Sequence, residues 1–362
     1  MINIYRIIAL VAVLSTSWIL PLNACTGFKL TAKDGSVING RTLEFNRVVV
    51  SSVAVIPRNY EFVGTTPLGA GLKYKAKYGV VGLITYGNPV IMDGINEKGL
   101  AVGTFYFSGF AGYSTITPEN QSKALSPVEF SNWLITQFAT IDEVKAALSD
   151  VLIAPTITKV WGNTPVPFHY IVYDKKGGAL VIEPINGKLV TYDNPLGVIT
   201  NSPNFDWHML NLRNFINLTP FSVGPIELNG VKLAPFGQGS GMVGLPGDFT
   251  SPSRFVQASI FSTTAIPSEN ADEAVFQGFH ILNQFDIPVG VVRQKENGTI
   301  QIDSTQFICV KDPQSLKYYF KTYDDQCIKV VDLKKFDLTA KSIKQASTTG
   351  IEKAIDVTST LK

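Results

Sequence analysis

The junction between Ala24 and Cys25 constrains this 362-residue chain more than any other feature of its sequence. Residues 1–24 carry one charge, Arg6, then an apolar run too short to span a bilayer, and they end in a small residue. This pattern is typical of a secretory signal peptide of 1–24. We therefore predict a bacterial protein that is exported to the periplasm or secreted, with Cys25 as the first residue of its mature chain.

A cysteine at the start of a chain combines two useful groups in one residue. Its thiol can act as a nucleophile, and its α-amine, which titrates at roughly 7.7–8.0 in model peptides, can act as a general base. A second interpretation stays open, because Leu22-Asn23-Ala24-Cys25 is close to a lipobox, in which the cysteine is lipidated. The protein would then be a lipid-anchored, non-catalytic envelope binding protein that is tethered through Cys25.

Composition argues against several kinds of partner. The chain contains 31 Lys and Arg against 29 Asp and Glu and has no basic run, so we expect no nucleic-acid partner. No apolar stretch after the first is long enough to cross a bilayer, so no membrane span is predicted. A hydrophobic content of 45% and a charged content of 17% are typical of a globular chain.

Neither a metal nor a cofactor is predicted. The three histidines, His169, His208 and His280, stand at no ligand spacing, and the three cysteines form no Cys-x-x-Cys pair. Gly239–Gly244 matches a dinucleotide fingerprint, but Pro246 prevents the helix start that would hold a pyrophosphate.

Strand patterns dominate the first quarter and the last third of the chain, and helices alternate with strands between them. Helices are predicted near 127–138, near 141–149, and after Pro203, Pro252 and Asn270, each behind a capping residue or a proline. This order favours antiparallel sheets with helices on their outer faces. The predicted strands are 28–33, 36–45, 48–56, 73–79, 80–86, 100–107, 168–173, 178–183, 188–192, 289–293, 299–302, 304–310, 316–322 and 326–332.

One domain over 25–340 is expected, followed by a polar, loose tail over 341–362. Near its start, Asp34-Gly35 predicts a hairpin that folds residues 41–45 back beside Cys25. Arg41 and Glu44 should therefore lie near the cysteine. At the other end, Cys309 and Cys327 are predicted to lie two strands apart, roughly 9–10 Å, which disfavours a disulfide without excluding one.

Five motifs follow one another along the chain, and together they resemble the choloylglycine hydrolase family, which contains bile salt hydrolases and penicillin V acylases. The motifs are Cys25-Thr26-Gly27, Gly40–Phe45, Ile95–Ala101, Thr200–Pro203 and Gly244–Phe255. The resemblance runs from Cys25 to about Leu333. It implies an α+β protein with the N-terminal nucleophile hydrolase fold, a four-layer αββα sandwich of antiparallel sheets, that hydrolyses a linear amide without a cofactor. It also implies a homo-oligomer, a tetramer.

The resemblance implies a role for each matching residue. Cys25 matches the nucleophile, Arg41 the arginine that favours its thiolate, and Arg254 a second arginine nearby. Tyr106 matches the position whose backbone amide helps to form the oxyanion hole, and Asn201 matches the asparagine whose side chain supplies the second donor. Structural alternatives stay open: Arg41 as the partner of a sheet-edge carboxylate, and Arg254 as a surface arginine of its helix.

Glu44 departs from the family pattern. Most members carry an aspartate there, which orients the α-amine, and the extra methylene of Glu44 moves the charge. For the substrate, Tyr106 is similar to the tyrosine of penicillin V acylases, where bile salt hydrolases carry asparagine. The resemblance therefore favours a small-molecule N-acyl amide such as penicillin V or an N-acyl homoserine lactone, with conjugated bile acids as the alternative.

Overall fold

The computed structural model describes residues 24–48, 50–296, 298–350 and 355–361. All but the last residue of the predicted signal peptide lies outside the described residues. The strands are β1 Cys25–Thr31, β2 Val37–Phe45, β3 Val50–Ile56, β4 Glu61–Thr66, β5 Gly69–Lys75, β6 Val80–Thr85, β7 Ile91–Asn96, β8 Ala101–Tyr106, β9 Ala124–Leu125, β10 Leu152–Ile153, β11 Phe168–Tyr173, β12 Ala179–Ile185, β13 Lys188–Asp193, β14 Ile226–Leu228, β15 Val231–Leu233, β16 Val292–Glu296, β17 Thr299–Asp312, β18 Lys317–Thr322, β19 Lys329–Asp332 and β20 Lys344–Ser347. The helices are α1 Phe130–Gln137, α2 Ile141–Ala147, α3 Phe205–Leu212, α4 Ser251–Thr264 and α5 Ala271–Leu282.

Two antiparallel sheets form the centre of the molecule. Sheet A has the order β1-β2-β17-β18-β19, with β16 paired to the other end of β17, and sheet B has the order β13-β12-β11-β8-β7-β6-β3-β20. Leu43 and Phe307 from sheet A share one buried cluster with Phe105 and Ile171 from sheet B. Burial of these side chains against each other supplies the main stabilisation of the sandwich.

Helices cover both outer faces of the sandwich. Helices α4 and α5 pack on β1, β2 and β17 of sheet A, and Phe255 and Phe279 enter its core. On sheet B, Leu134 of α1 and Val144 of α2 join Tyr170 in a second buried cluster. The predicted four-layer αββα sandwich is thereby confirmed. Within the described ranges, no helix combines the length and the apolar character that crossing a membrane requires.

The predicted helices all form, and so do most predicted strands, including the hairpin of β1 and β2. Among the described residues, seven strands were missed: β4, β7, β9, β10, β14, β15 and β20. β4 pairs with β5, which starts and ends earlier than the predicted strand 73–79. β7 carries Asp93 and Gly94, two residue types that are depleted in strands, and its pairing with β6 and β8 stabilises it nevertheless.

Two differences from the predictions lie in the last third of the chain, whereas the disfavoured disulfide of Cys309 is indeed absent. The predicted strands 299–302 and 304–310 are one strand, β17, which pairs with β16 at one end and with β2 at the other. The tail after residue 340 was expected to be loose, but β20 within it pairs with the edge strand β3. Cys309 is buried in β17 and carries a free thiol that donates a hydrogen bond to Asp93 Oδ1 (3.1 Å).

Candidate active site

The pairing of β1 with β2 decides which side chains meet Cys25. Cys25 lies opposite Leu43, and Gly27 lies opposite Arg41. Opposite and alternate residues share one face of a sheet, so Cys25 and Arg41 face the space between the two sheets. Glu44 faces the other way, towards α4. The hairpin therefore brings both predicted partners to the cysteine, one on each face of sheet A.

A short bridge beside β1 brings Asn201 to the same place. Gly27 N–H donates to Ile199 O (2.8 Å), and Ile199 N–H donates to Gly27 O (2.9 Å). A Cβ atom on Gly27 would lie 2.8 Å from Phe105 Cζ, so this close packing requires glycine. Two residues after the bridge, Asn201 Oδ1 accepts a hydrogen bond from Cys25 N–H (2.7 Å).

Arg254 is not a surface residue of α4, because its side chain is only 2% exposed. Its Nη1 donates to the carbonyl oxygen of Cys25 and to Thr26 Oγ1 (2.8 Å), and its Nη2 donates to Asn201 Oδ1 (2.9 Å). Its Nε donates to Phe249 O (2.9 Å). The guanidinium thus fixes the main chain of Cys25 and the side chain of Asn201 together.

Arg41 is equally buried, on the opposite face. Its guanidinium lies 4.2 Å from the centre of the Phe105 ring, and its Nη1 donates to Thr104 O (2.6 Å). Its Nη2 has no hydrogen-bond partner among the described residues. Burial raises the pKa of the Cys25 thiol above its ordinary value, and the charge of Arg41 opposes that shift without reversing it. The thiol is therefore protonated at neutral pH, and attack by sulfur needs a base.

Glu44 is a buried carboxyl group with one free oxygen. Its Oε1 accepts a hydrogen bond from Thr305 Oγ1 (3.0 Å), whereas no partner of Oε2 is present in the described part of the chain. Burial raises the pKa of Glu44 to about 8, although Arg254 and the hydroxyls of Thr42 and Thr305 act in the other direction. The main-chain N–H of Glu44 donates to Ala24 O (3.2 Å), which places this residue at the start of β1.

Tyr106 and Asn201 are in direct contact. Asn201 Nδ2 donates to Tyr106 O (2.9 Å), and the amide keeps a second hydrogen. Phe107 N–H donates to Pro167 O (2.7 Å), so the alternation of the ladder turns Tyr106 N–H away from β11. On that other side, the pairing of β7 with β8 ends at Gly103, before Tyr106. Tyr106 therefore offers one backbone N–H, and Asn201 one side-chain N–H, as the candidate oxyanion donors.

Aromatic side chains stand beside these groups at the end of the sandwich. Phe45 contacts Tyr106 and Trp161 edge-on, with ring centres 6.1 and 5.7 Å apart. Trp161 in turn contacts Tyr86 (5.2 Å) and Phe168 (5.5 Å). This aromatic wall, formed by Phe45, Tyr86, Tyr106, Trp161 and Phe168, suits an apolar acyl group.

Three polar residues of the site were missed from the sequence. Thr305 holds Glu44, and His169 and His208 donate to the main chain next to Asn201. His169 and Thr305 are buried polar residues on buried strands, which is a weak signal in a sequence. His208 gives no signal at all, because its contact depends on where α3 packs.

Comparison with known proteins agrees with this geometry. The family model for linear amide C–N hydrolases of the choloylglycine hydrolase family matches residues 25–348. The chain is 33% identical to a bile salt hydrolase/transferase of Clostridium perfringens over 88% of this chain and 95% of that protein. It is 26% identical to a penicillin V acylase of Pectobacterium atrosepticum over 84% of this chain and 79% of that protein.

Solved structures give the same assignment. A variant of conjugated bile acid hydrolase from Clostridium perfringens superposes with a TM-score of 0.81 at 31% identity, over 92% of this chain and all of that one. Penicillin V acylase from Agrobacterium tumefaciens shares the fold, with a TM-score of 0.72 at 24% identity over 91% of this chain and 94% of that one. The chain therefore belongs to the choloylglycine hydrolase family, whose members are enzymes that hydrolyse linear amide carbon–nitrogen bonds.

Proposed function

We propose that this enzyme is an exported amidohydrolase whose nucleophile, Cys25, is the first residue of its mature chain. The main support for this proposal is a pair of hydrogen-bond acceptors at the start of β1. Asn201 Oδ1 accepts from Cys25 N–H, and the buried Glu44 has an oxygen without a partner among the described groups. A peptide nitrogen has one hydrogen to donate, whereas a free α-ammonium has three. These acceptors suit a free amine better than a peptide-linked one.

The proposed reaction uses the amine of Cys25 as its base. The α-amine takes the thiol proton as Sγ attacks the amide carbonyl, since the buried thiol does not ionise by itself at neutral pH. Tyr106 N–H and the second Nδ2 hydrogen of Asn201 stabilise the oxyanion. The tetrahedral intermediate then collapses, and the leaving amine takes a proton from the α-ammonium. Water, deprotonated by the α-amine, hydrolyses the thioester and releases the acid.

Three charged residues support this chemistry. Arg41 stabilises negative charge on the sulfur, because its guanidinium faces the same inter-sheet space. Arg254 holds the carbonyl of Cys25 and the side chain of Asn201 in one arrangement. Glu44 orients the α-ammonium in the place of the usual aspartate. The positive charge of the freed amine favours the ionised carboxylate and so opposes the raised pKa that Glu44 has in the peptide-linked chain.

The acyl group of the substrate is proposed to be apolar and to lie against the aromatic wall. The tyrosine at position 106 favours penicillin V or an N-acyl homoserine lactone. However, the role given to Tyr106 uses its backbone amide, which any residue supplies, and relatives with identities of 33% and 30% are named bile salt hydrolase/transferases. We therefore propose conjugated bile acids as the first substrate class and phenoxyacetyl or long acyl amides as the second.

A hydrolysis panel tests this proposal. Purified mature protein is given glycocholate, penicillin V and an N-acyl homoserine lactone side by side, and we expect the highest kcat/KM with glycocholate. The Cys25→Ser variant should lose at least 10²-fold in kcat on every substrate that is turned over. Turnover that survives this exchange would refute the proposed nucleophile, and a preference for penicillin V would reverse the order of the substrates.

An intact-mass measurement separates the enzyme from the lipid-anchored alternative. It is made in a Cys327→Ser background, because Cys327 is exposed and would also react with iodoacetamide. We expect an unmodified chain that starts at Cys25 and loses activity on alkylation. A diacylglyceryl adduct on Cys25, or a retained leader, would contradict the proposal.

A homo-oligomer is also proposed. The hairpin of β14 and β15 exposes apolar side chains to an unusual degree, including Ile226 (54%), Leu228 (56%), Val231 (57%) and Leu233 (47%). Apolar residues clustered on a projecting hairpin are typical of a surface that another protein covers. A second copy of this chain is the proposed occupant.

A further inference from the structure

Two buried histidines hold the two peptide carbonyls at Asn201. His169 Nε2 lies 3.0 Å from Thr200 O, and His208 Nε2 lies 3.0 Å from Asn201 O. Both imidazoles are only 2% exposed. They come from different elements, β11 and α3, so the main chain of Asn201 is held between sheet B and a helix.

The donor in each of these contacts can be assigned from its partner. A carbonyl oxygen only accepts hydrogen bonds, so each Nε2 must carry a hydrogen. For His208, burial lowers the pKa to about 4, so the ring is neutral at neutral pH and Nδ1 is the unprotonated nitrogen. No partner of that Nδ1 occurs among the described groups. The ring stacks on Phe255, with ring centres 4.6 Å apart, which fixes its plane.

His169 is held from behind by a buried carboxyl group. Its Nδ1 lies 3.2 Å from Glu183 Oε1, within hydrogen-bond distance, so the carboxyl group fixes the orientation of the ring. The same oxygen accepts a hydrogen bond from Phe205 N–H (2.9 Å) at the start of α3. Glu183 therefore links the orientation of His169 to the position of the helix that carries His208.

The side chain of Asn201 is fixed by hydrogen bonds as well as by the backbone that carries it. Its Oδ1 accepts from Cys25 and Arg254, and its Nδ2 donates to Tyr106 O. Ser251 Oγ accepts from its main-chain N–H (2.9 Å). Few side-chain torsions remain free once the backbone is held, so a shift of either carbonyl would tilt the amide away from the oxyanion.

We propose that His208 and His169 are positioning residues of the catalytic site, which hold the Asn201 backbone so that its side-chain amide points at the developing oxyanion. Neither histidine contacts the reacting atoms or transfers a proton. The inference rests on the proposed function of Asn201 as an oxyanion donor.

The test compares two replacements of His208. His208→Phe keeps a ring that can stack on Phe255 but removes the N–H donor, and His208→Gln returns an N–H near the position of Nε2. We expect His208→Phe to lower kcat about 10- to 100-fold and to change KM less than about threefold. This fall in kcat should not exceed the fall that follows the loss of one oxyanion donor. His208→Gln should recover kcat to within about threefold of the parent. His169→Gln keeps its donor as well and should behave like His208→Gln.

His280 provides the matched control, since it is the third histidine and lies exposed on α5. His280→Phe and His280→Gln should leave kcat and KM unchanged. Equal kcat in His208→Phe and the parent, after correction for the folded fraction from thermal melting, would overturn the inference. So would a loss in kcat that His208→Gln fails to recover.

A measurement without substrate keeps the inference separate from the proposed function. ¹⁵N NMR of protein labelled at histidine, assigned with the His280 and His208 variants, should show His208 at pH 7 as a neutral ring with its hydrogen on Nε2. The other tautomer, or an imidazolium, would overturn the inference even if His208→Phe fails to fold. Failure of the parent to hydrolyse any amide in the panel would refute the proposed function. The NMR tautomer of His208 would then still show whether this histidine donates to Asn201 O.

Discussion

Glu44 occupies the position where the resemblance to the family implies an aspartate, and its surroundings explain how the longer side chain is accommodated. Thr305 Oγ1 donates to Oε1, and Arg254 supplies a positive charge close by. The register irregularity between Thr305 and Phe307 lies opposite the end of β2 and places this hydroxyl against the carboxyl group. The second oxygen has no partner among the described residues and is therefore available to the α-ammonium that the proposed function gives to Cys25.

The first prediction concerns this carboxyl group. Glu44→Gln keeps the shape but loses the negative charge, so the α-ammonium is no longer oriented, and we expect kcat to fall about 100-fold. Glu44→Asp restores the usual residue and keeps the charge, so kcat should stay within about tenfold of the parent. Steady-state kinetics on the best substrate of the panel provide the measurement. A Glu44→Gln enzyme within twofold of the parent would show that the charge is not needed.

The second prediction concerns the pH dependence of stability in a chain that retains Ala24. Burial raises the pKa of Glu44 to about 8 in the folded chain, against 4.5 ordinarily. Between these values the folded chain keeps a proton that the unfolded chain has lost, so the free energy of unfolding falls as the pH rises. At 1.36 kcal/mol per unit of pKa shift, the fall amounts to roughly 5 kcal/mol and is complete above about pH 8.

Urea unfolding between pH 5 and pH 8.5 measures this slope. The protein is expressed from an initiator methionine placed before Ala24, so that Cys25 stays peptide-linked. The Glu44→Gln version serves as the control and should lack this part of the slope. Parallel curves for the two proteins would contradict the raised pKa.

At the scale of elements, one buried ion pair joins the two sheets. Lys311 Nζ of β17 donates to both carboxylate oxygens of Asp93 on β7, at 2.8 and 2.6 Å. Cys309 Sγ and Tyr318 Oη also donate to Asp93 Oδ1. The pair is nearly inaccessible to solvent, so each charge depends on the other for compensation.

The third prediction separates the destabilisation caused by an uncompensated charge at Asp93 from that caused by altered packing at Lys311. Lys311→Met leaves Asp93 buried without its cation and should lower the free energy of unfolding by about 3–5 kcal/mol. Adding Asp93→Asn removes the charge but keeps an oxygen for Cys309 and Tyr318, so most of that loss should be recovered. Urea unfolding of the single and double variants measures both effects.

A surface pair provides the control for this experiment. Lys33 and Glu269 are 52% and 65% exposed, so Lys33→Met should cost no more than about 1 kcal/mol. If the double variant is as unstable as Lys311→Met alone, the loss comes from packing and not from an uncompensated charge.

At the scale of the whole molecule, the sandwich buries its sheets on both sides, yet the hairpin of β14 and β15 leaves apolar residues in solvent. Phe221 and Phe236, which flank the hairpin, are 78% and 113% exposed. An isolated two-stranded hairpin gains little stability by itself in water. These exposed apolar side chains support the proposal that a second copy of the chain covers the hairpin.

The fourth prediction follows from this exposure. The combined change Leu228→Glu and Val231→Glu places two charges on opposite residues of the hairpin. We expect the parent to be an oligomer in light scattering coupled to size exclusion, and the double variant to shift to a smaller species. Ile266→Glu is the control, because Ile266 is 79% exposed elsewhere on the surface and should leave the mass unchanged. A monomeric parent would refute the proposed assembly.

Local patterns allowed much of the fold to be predicted. Asp34-Gly35 marked the turn between β1 and β2, and Thr140 and Asn270 marked the starts of α2 and α5, where each side chain does accept from the main-chain N–H of the third residue after it. β7 was not predicted because Asp93 and Gly94 disfavour a strand. Its stability comes from pairing with β6 and β8, which no local pattern indicates.

Turns, helix starts, the motifs of the family and the candidate nucleophile Cys25 could all be identified from the order of residues alone. These follow from interactions between near neighbours, or from residue types in a fixed order, which the sequence carries directly. Three features of the site came from the packing of distant segments. Arg254, 229 positions away, holds the carbonyl of Cys25, and His208 reaches Asn201. One oxygen of Glu44 has no partner among the described residues. Burial and long-range hydrogen bonds set these properties, because both depend on which distant segments pack together, and no local pattern records that packing.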